Sequence, residues 1–141
     1  MLTTTLNRVK TVGLSAASWK RLLTHLGKTE ADDAKLPYAS ILSCLGLDDA
    51  LLCCQAEPRR AKHWRLFAVR CADQAQRLLG DARSARVVKA ASASAAWRAA
   101  RLASMEAAQA AAASRSCEAA AKAARIAARG VQVAEFLRLV G

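Results

Sequence analysis

Residues 90–128 hold 21 alanines in 39 positions, and their large apolar side chains are Trp97, Leu102, Met105 and Ile126. No other feature narrows the fold as far. Alanine has the highest helix propensity of any residue, so the stretch is predicted to be helical with little help from its surroundings. Its means of packing are weaker. Each alanine offers one methyl group, and helices built this way bury useful area only by approaching closely. Ser92, Ser94, Ser114 and Ser116 are the predicted break points, and an antiparallel pair over 95–113 and 117–139 would bring the small faces together. A single unbroken helix is the competing arrangement. Gly130, inside an otherwise helical run, costs about 1 kcal/mol relative to alanine and is expected to mark a bend before Val133, Phe136, Leu137 and Val140.

The rest of the chain is punctuated as helices are. Gly27, Gly46 and Gly80 each follow a leucine-containing periodic segment, and Pro37 and Pro58 stand near the start of the next one, where glycine ends helices and a missing N–H costs little. The predicted helices run over 3–12, 15–26, 37–45, 48–56 and 60–79. Within 60–79, Trp64, Phe67, Ala68, Cys71, Ala75, Leu78 and Leu79 share one face, with Arg65, Arg70 and Arg77 off it. No alternating β-branched run of strand length occurs, so no strand is expected.

Charge is unevenly spread. Residues 1–28 carry Arg8, Lys10, Lys20, Arg21 and Lys28 and no acid; residues 29–58 carry six acids against Lys35 alone; residues 59–141 carry sixteen basic and five acidic groups, giving the chain its net +11. Lys and Arg interrupt every apolar run well short of the ~18 to 20 residues of a spanning helix, so a soluble protein without membrane partners is expected. The basic, Ser/Thr-rich first 28 residues would also suit an organellar transit peptide, but Trp19, Leu22, Leu23 and Leu26 have the spacing of a domain helix. Five cysteines, Cys44, Cys53, Cys54, Cys71 and Cys117, form no even framework and no CxxC pair, which fits a reducing cytosol.

The stretch "GLDDALLCC", Gly46 to Cys54, has the look of chemistry: Asp48 and Asp49 stand one turn before Cys53 and Cys54. A helix start accounts for it instead. With Gly46 ending one helix, Asp48 is predicted to be the N-cap, Asp49 to meet the positive end of the dipole, and Leu47 to staple the entry. Adjacent thiols on a helix point about 100° apart, so one of the two is expected in the core and no metal is held. His25 and His63 have no ligand spacing. No nucleophile lies in a recognisable elbow or triad pattern, so neither catalytic residues nor cofactors are expected. In "KTEADDAK", Lys28 to Lys35, Thr29 precedes Asp32 by three residues, as in a capping box. If that loop lies beside the start of the 48–56 helix, Asp32, Asp33, Asp48 and Asp49 share one acidic surface. Basic residues recur with helical spacing as Arg83, Arg86 and Lys89, then Arg98 and Arg101, then Lys122, Arg125 and Arg129. Such rows are usually solvated faces, although they have the spacing to track phosphates.

Taken together, "SWKRLLTHLGKTEADDAKLPYASILSCLGLDDALLCCQAEP", then "RLFAVRCADQAQRLL", then an alanine-rich tail resemble the alanine-rich immunity protein family of bacteria, phages and prophages. The resemblance is carried by Trp19, Leu22 and Leu23, by Gly27 to Thr29, Ala31 to Asp33 and Leu36, by Ile41 and Leu42, by Gly46 to Leu51, and by Arg65 to Val69 with Cys71 and Ala72. It is specific over about 15–79, and the tail matches by composition only. Leu45 and Leu52 depart from the asparagine and tryptophan usual there. The resemblance implies an all-α protein that binds and neutralises a partner protein, and it supplies no catalytic residue. The basic balance departs from that of a nuclease blocker, and phage carriage would equally suit an inhibitor of a bacterial defence complex, such as an anti-CRISPR.

The expectation is therefore a single all-α domain over 1–141, a compact bundle or solenoid-like stack of about six to eight helices. Residues 1–80 would form its family-like part and 81–141 its basic alanine-rich helices. Its expected role is cytoplasmic and non-enzymatic: occlusion of a toxin or defence-complex subunit, with contacts at Asp32, Asp33, Asp48, Asp49, Arg83, Arg86, Lys89, Arg98 and Arg101. Nucleic-acid binding through the basic helices is the alternative.

Overall fold

The computed structural model describes residues 1–79, 96–113 and 118–141. Among them the protein is mostly helical, with seven α-helices: α1 (Leu6–Lys10), α2 (Ala16–His25), α3 (Tyr38–Leu45), α4 (Leu47–Cys53), α5 (Ala61–Leu79), α6 (Ala96–Ala113) and α7 (Glu118–Val140). The all-α expectation holds. The chain divides into two compact units, one comprising Met1–Pro58 with Val140–Gly141 and the other Arg59–Leu139. α5, which the resemblance grouped with the N-terminal part, thus falls in the same unit as the alanine-rich helices.

The first unit corrects the expectation of no strand. Thr3–Thr4 (β1) pairs antiparallel with Leu36–Pro37 (β2), Thr3 opposite Pro37 and Thr4 opposite Leu36. The predicted helix over 3–12 is accordingly shorter. Thr5 is extended and accepts a hydrogen bond from the Arg8 N–H, so α1 starts only at Leu6. β-Branched threonines favour the strand, and a threonine hydroxyl at the N-cap favours starting the helix after it. Two further bonds hold this strand end: the Tyr38 N–H donates to the Leu2 carbonyl at 3.2 Å, and the Leu2 N–H donates to the Val140 carbonyl at 2.5 Å. Ser15 caps α2 through the Ser18 N–H at 3.1 Å. Leu6, Val9, Leu22, Leu36, Tyr38, Ile41, Leu47, Leu51, Cys53 and Cys54 are buried.

The second unit is a set of three helices. α5 lies along α6. Trp64 and Phe67 of α5 meet Phe136 of α7, with ring centroids 6.2 Å and 5.7 Å apart, stacked and edge-on respectively. Further along α5, the Gln74 amide donates to the Ala128 carbonyl at 3.4 Å, so α5 and α7 run antiparallel. The Ser104 hydroxyl of α6 reaches the Gln132 side chain of α7 at 2.8 Å. In one unbroken helix those residues would stand about 42 Å apart at ~1.5 Å per residue, so the alanine-rich region is two helices folded against each other. The serines predicted to break it lie outside the described residues. Ala103, Ala107, Ala108 and Ala128 are buried, as expected for helices whose small faces meet.

Candidate partner-binding surfaces

The start of α4 differs from the capping prediction in one respect. Gly46, at φ +83°, is the N-cap and makes no side-chain cap bond, while Asp48 and Asp49 both lie in the first turn. A positive φ of this kind favours glycine over any residue bearing Cβ, so the turn residue also opens the next helix. Both carboxylates meet the positive helix end. Asp48 is exposed, whereas Asp49 accepts a 2.6 Å hydrogen bond from the Ser18 hydroxyl of α2. That bond ties the two helix starts together, since the Ser15 hydroxyl in turn donates to the Ser18 oxygen at 3.0 Å.

Both thiols enter the core, where one was expected. α4 ends at Cys53 and tightens into a 3₁₀ turn over Cys54–Ala56, and the Cys54 thiol donates back to the Ala50 carbonyl at 3.4 Å. Burial pushes the Cys53 thiol up to about 12 and the Cys54 thiol well above its ordinary value. Burial likewise pushes Cys71 of α5 up to about 12 and raises Cys44 of α3. All four are thereby held as neutral thiols at physiological pH, which are poor nucleophiles. Among the described residues no three His, Cys, Asp or Glu side chains group as metal ligands would.

Asp32 and Asp33 take other partners. Asp32 is ion-paired with Lys28 and accepts from the Ala34 N–H at 3.3 Å, and its carbonyl accepts from the Asn7 N–H at 3.1 Å. The Lys28 hydrogen bond holds the Asp32 carboxyl below the usual carboxylate range. Exposed Asp33 faces the field of Arg8, whose guanidinium is held above its ordinary value chiefly by its hydrogen bond to buried Glu57 at 2.5 Å. The first aspartate pair is thus anchored to the loop and α1, and the second belongs to the α2–α4 junction. Elsewhere in this unit an open groove of about 590 Å³ between α2 and α3 is lined by Lys20, Arg21, Thr24, His25, Ser43 and Cys44 together with Ala17.

The second unit takes the whole net charge. Met1–Pro58 carries six basic and six acidic side chains, and Arg59–Leu139 carries sixteen and five. Of the predicted basic contacts, Arg83, Arg86 and Lys89 lie outside the described residues. Arg98 is exposed and Arg101 half-buried, with the Arg101 Nε enclosed and unpaired. Lys122 and Arg125 are exposed, but Arg129 does not continue their row. Its guanidinium turns inward and donates to the Ser104 hydroxyl at 2.5 Å and to the Gln132 carbonyl oxygen at 3.4 Å. Helical spacing places Arg129 near that row; the polar group it meets on α6 cannot be seen from spacing.

Sequence reasoning also missed the buried polar cluster and the outward apolar side chains. The Gln132 Nε2 donates to Gln74 Oε1 and to the Ser104 carbonyl, each at 3.1 Å, and its Oε1 accepts from Ser104 and Arg129. Its only sequence signal is a glutamine between Val131 and Val133. Leu102, Met105, Ile126, Val131 and Leu137 are all exposed.

Comparison of the chain with protein-family models, with curated proteins and with solved structures finds no match. No helix among the described residues is long and apolar enough to cross a membrane.

Proposed function

We propose that this chain is a small, cytoplasmic, non-enzymatic binding protein that neutralises a partner protein by covering its surface, either as an immunity protein or as a phage-encoded inhibitor of a bacterial defence complex. The observation that carries the reading is the outward placement of Leu102, Met105, Ile126, Val131 and Leu137 on α6 and α7, with cations such as Arg98, Lys122 and Arg125 exposed on the same two helices. Exposed large apolar groups rimmed by charge are the composition of protein–protein interfaces. The resemblance of residues 15–79 to the alanine-rich immunity family supports the same reading.

Affinity capture of the full-length protein from its native host, with nuclease treatment, tests it. The expected result is one partner protein retained in near-stoichiometric amount after digestion; recovery of nucleic acid alone would overturn the reading.

A second reading is nucleic-acid binding, favoured by the location of the entire net charge in Arg59–Leu139. It requires affinity that falls by roughly one log unit per log unit of salt for each phosphate contacted. Against it, Arg129 is committed to Ser104 and Arg70 is held by Glu135.

A further inference from the structure

α7 has two apolar sides, and the chain uses one. Inward, Ala128, Gln132 and Phe136 are buried. Outward, Ile126, Val131 and Leu137 are 63%, 60% and 40% exposed, and Ala127, Gly130 and Ala134 between them are exposed too. At 100° per residue, Ile126, Ala127, Gly130, Ala134 and Leu137 fall within an arc of about 100°, with Val131 at its margin, which is the width of face a second helix covers. Gly130 sits at its centre, and nothing among the described residues calls for a glycine there. Its φ is not positive, and a Cβ added to it would meet no atom within 4 Å. Glycine is nevertheless the poorest helix-interior choice after proline. What a glycine offers on an open helix face is close approach by another backbone from outside.

The charges around the face choose the visitor. Lys122 borders one edge of the arc and Arg138 the other, with Arg125 further round, and all three are exposed. Of the two acids on α7, Glu135 is occupied by Arg70 and Arg138, and exposed Glu118 stands one turn before Lys122, where Arg125 joins it to leave that edge positive. A second copy of the chain would set these cations against themselves. A helix with an apolar stripe and acidic flanks would match both the stripe and its edges.

We propose that the outward face of α7 centred on Gly130 is the docking site for an acidic amphipathic helix of the partner protein, an inference that rests on the protein-binding reading above. The face takes that helix as a groove-binding surface does, with the apolar side chains supplying affinity and Lys122 and Arg138 selecting its charge.

Two measurements on the full-length protein test it. The first uses a synthetic 21-residue helix with Ala and Leu at its seam and Glu at both flanks, and its Lys-flanked twin, followed by fluorescence anisotropy. The Glu helix is expected to bind at least tenfold more tightly than the Lys helix, and Gly130→Leu to weaken it at least tenfold without lowering the melting temperature. Equal binding of the two helices, or an unchanged Kd in Gly130→Leu, overturns the proposal, as does a concentration-dependent dimer that Gly130→Leu abolishes. The second places a photo-crosslinker at Ala127, or at exposed Gln55 as the reference position, during capture from the host. Partner crosslinks from Ala127 alone support the site. Crosslinks from Gln55 alone remove the site and leave the protein-binding reading standing, whereas capture of no protein removes both.

Discussion

The Ser104 hydroxyl donates to the Gln132 side-chain carbonyl across 2.8 Å, joining residues 28 positions apart on two alanine-rich helices. Alanine faces slide over one another easily, because one methyl resembles the next. A buried amide whose donors and acceptor are all used admits only one register, since any slip leaves polar groups unpaired. Gln74 of α5 completes the arrangement, so the same side chain aligns all three helices of the unit.

Gln132→Ala is therefore expected to cost about 2–4 kcal/mol, the joint effect of a buried cavity and of polar groups left without partners. Ser104→Ala should cost less, roughly 1–2 kcal/mol. Urea denaturation of the two single variants and the double variant measures this, and a coupling energy near zero would show that the two side chains act separately.

At the start of α4, Asp49→Ala is expected to cost about 1 kcal/mol through loss of the Ser18 bond and of its interaction with the helix dipole. Asp48→Ala, on the exposed side, should stay within about 0.5 kcal/mol. Gly46→Ala should cost roughly 1–2 kcal/mol, the strain of placing Cβ at a positive φ. Thermal and chemical melts of the three variants give the ranking.

The buried thiols predict alkaline sensitivity. Below the ordinary thiol pKa of about 8.5, Cys53, Cys54 and Cys71 are protonated in both folded and unfolded chains, and their contribution to stability is fully present. Above it the unfolded chain ionises first, so stability falls as pH rises toward the folded values, about 12 for Cys53 and Cys71. The slope is up to about 1.4 kcal/mol per pH unit for each thiol. In a Cys117→Ala background, Ellman's reagent should at most reach Cys44 in the native protein and titrate all four remaining thiols in denaturant. Rapid native reaction of Cys53 or Cys71 would contradict this.

Acid acts through Asp32. Its folded pKa is lowered by the Lys28 hydrogen bond, so its stabilising contribution is complete above about pH 4, the ordinary aspartate value, and is lost as pH falls through the lower folded value. Denaturant midpoints measured between pH 2 and 5 should show a shallower acid slope in Asp32→Asn than in the wild type.

Much of this architecture was legible locally. The predicted 15–26, 37–45 and 60–79 segments correspond to α2, α3 and α5, because glycine at a helix end, proline at a start and apolar spacing near 3.6 are written within a few residues of where they act. Two alanine-rich helices folded against each other were one of the two arrangements that propensity and small-residue packing allowed, and the Ser104–Gln132 contact selects it. The exposed row of Lys122 and Arg125 was also visible as spacing.

What tertiary structure alone decided are the choices between locally equal options. Thr3 and Thr4 could have extended α1, and they form a strand because Leu36 and Pro37 lie opposite them. Arg129 could have faced water with Lys122, and it turned inward because Ser104 lies across from it. On α7, Ile126 and Phe136 are both apolar and helically spaced. Periodicity marks such stripes without saying which one the chain buries. Burial of Phe136 was settled by Trp64 and Phe67 on another helix, and that non-local contact left Ile126, Gly130 and Leu137 facing outward.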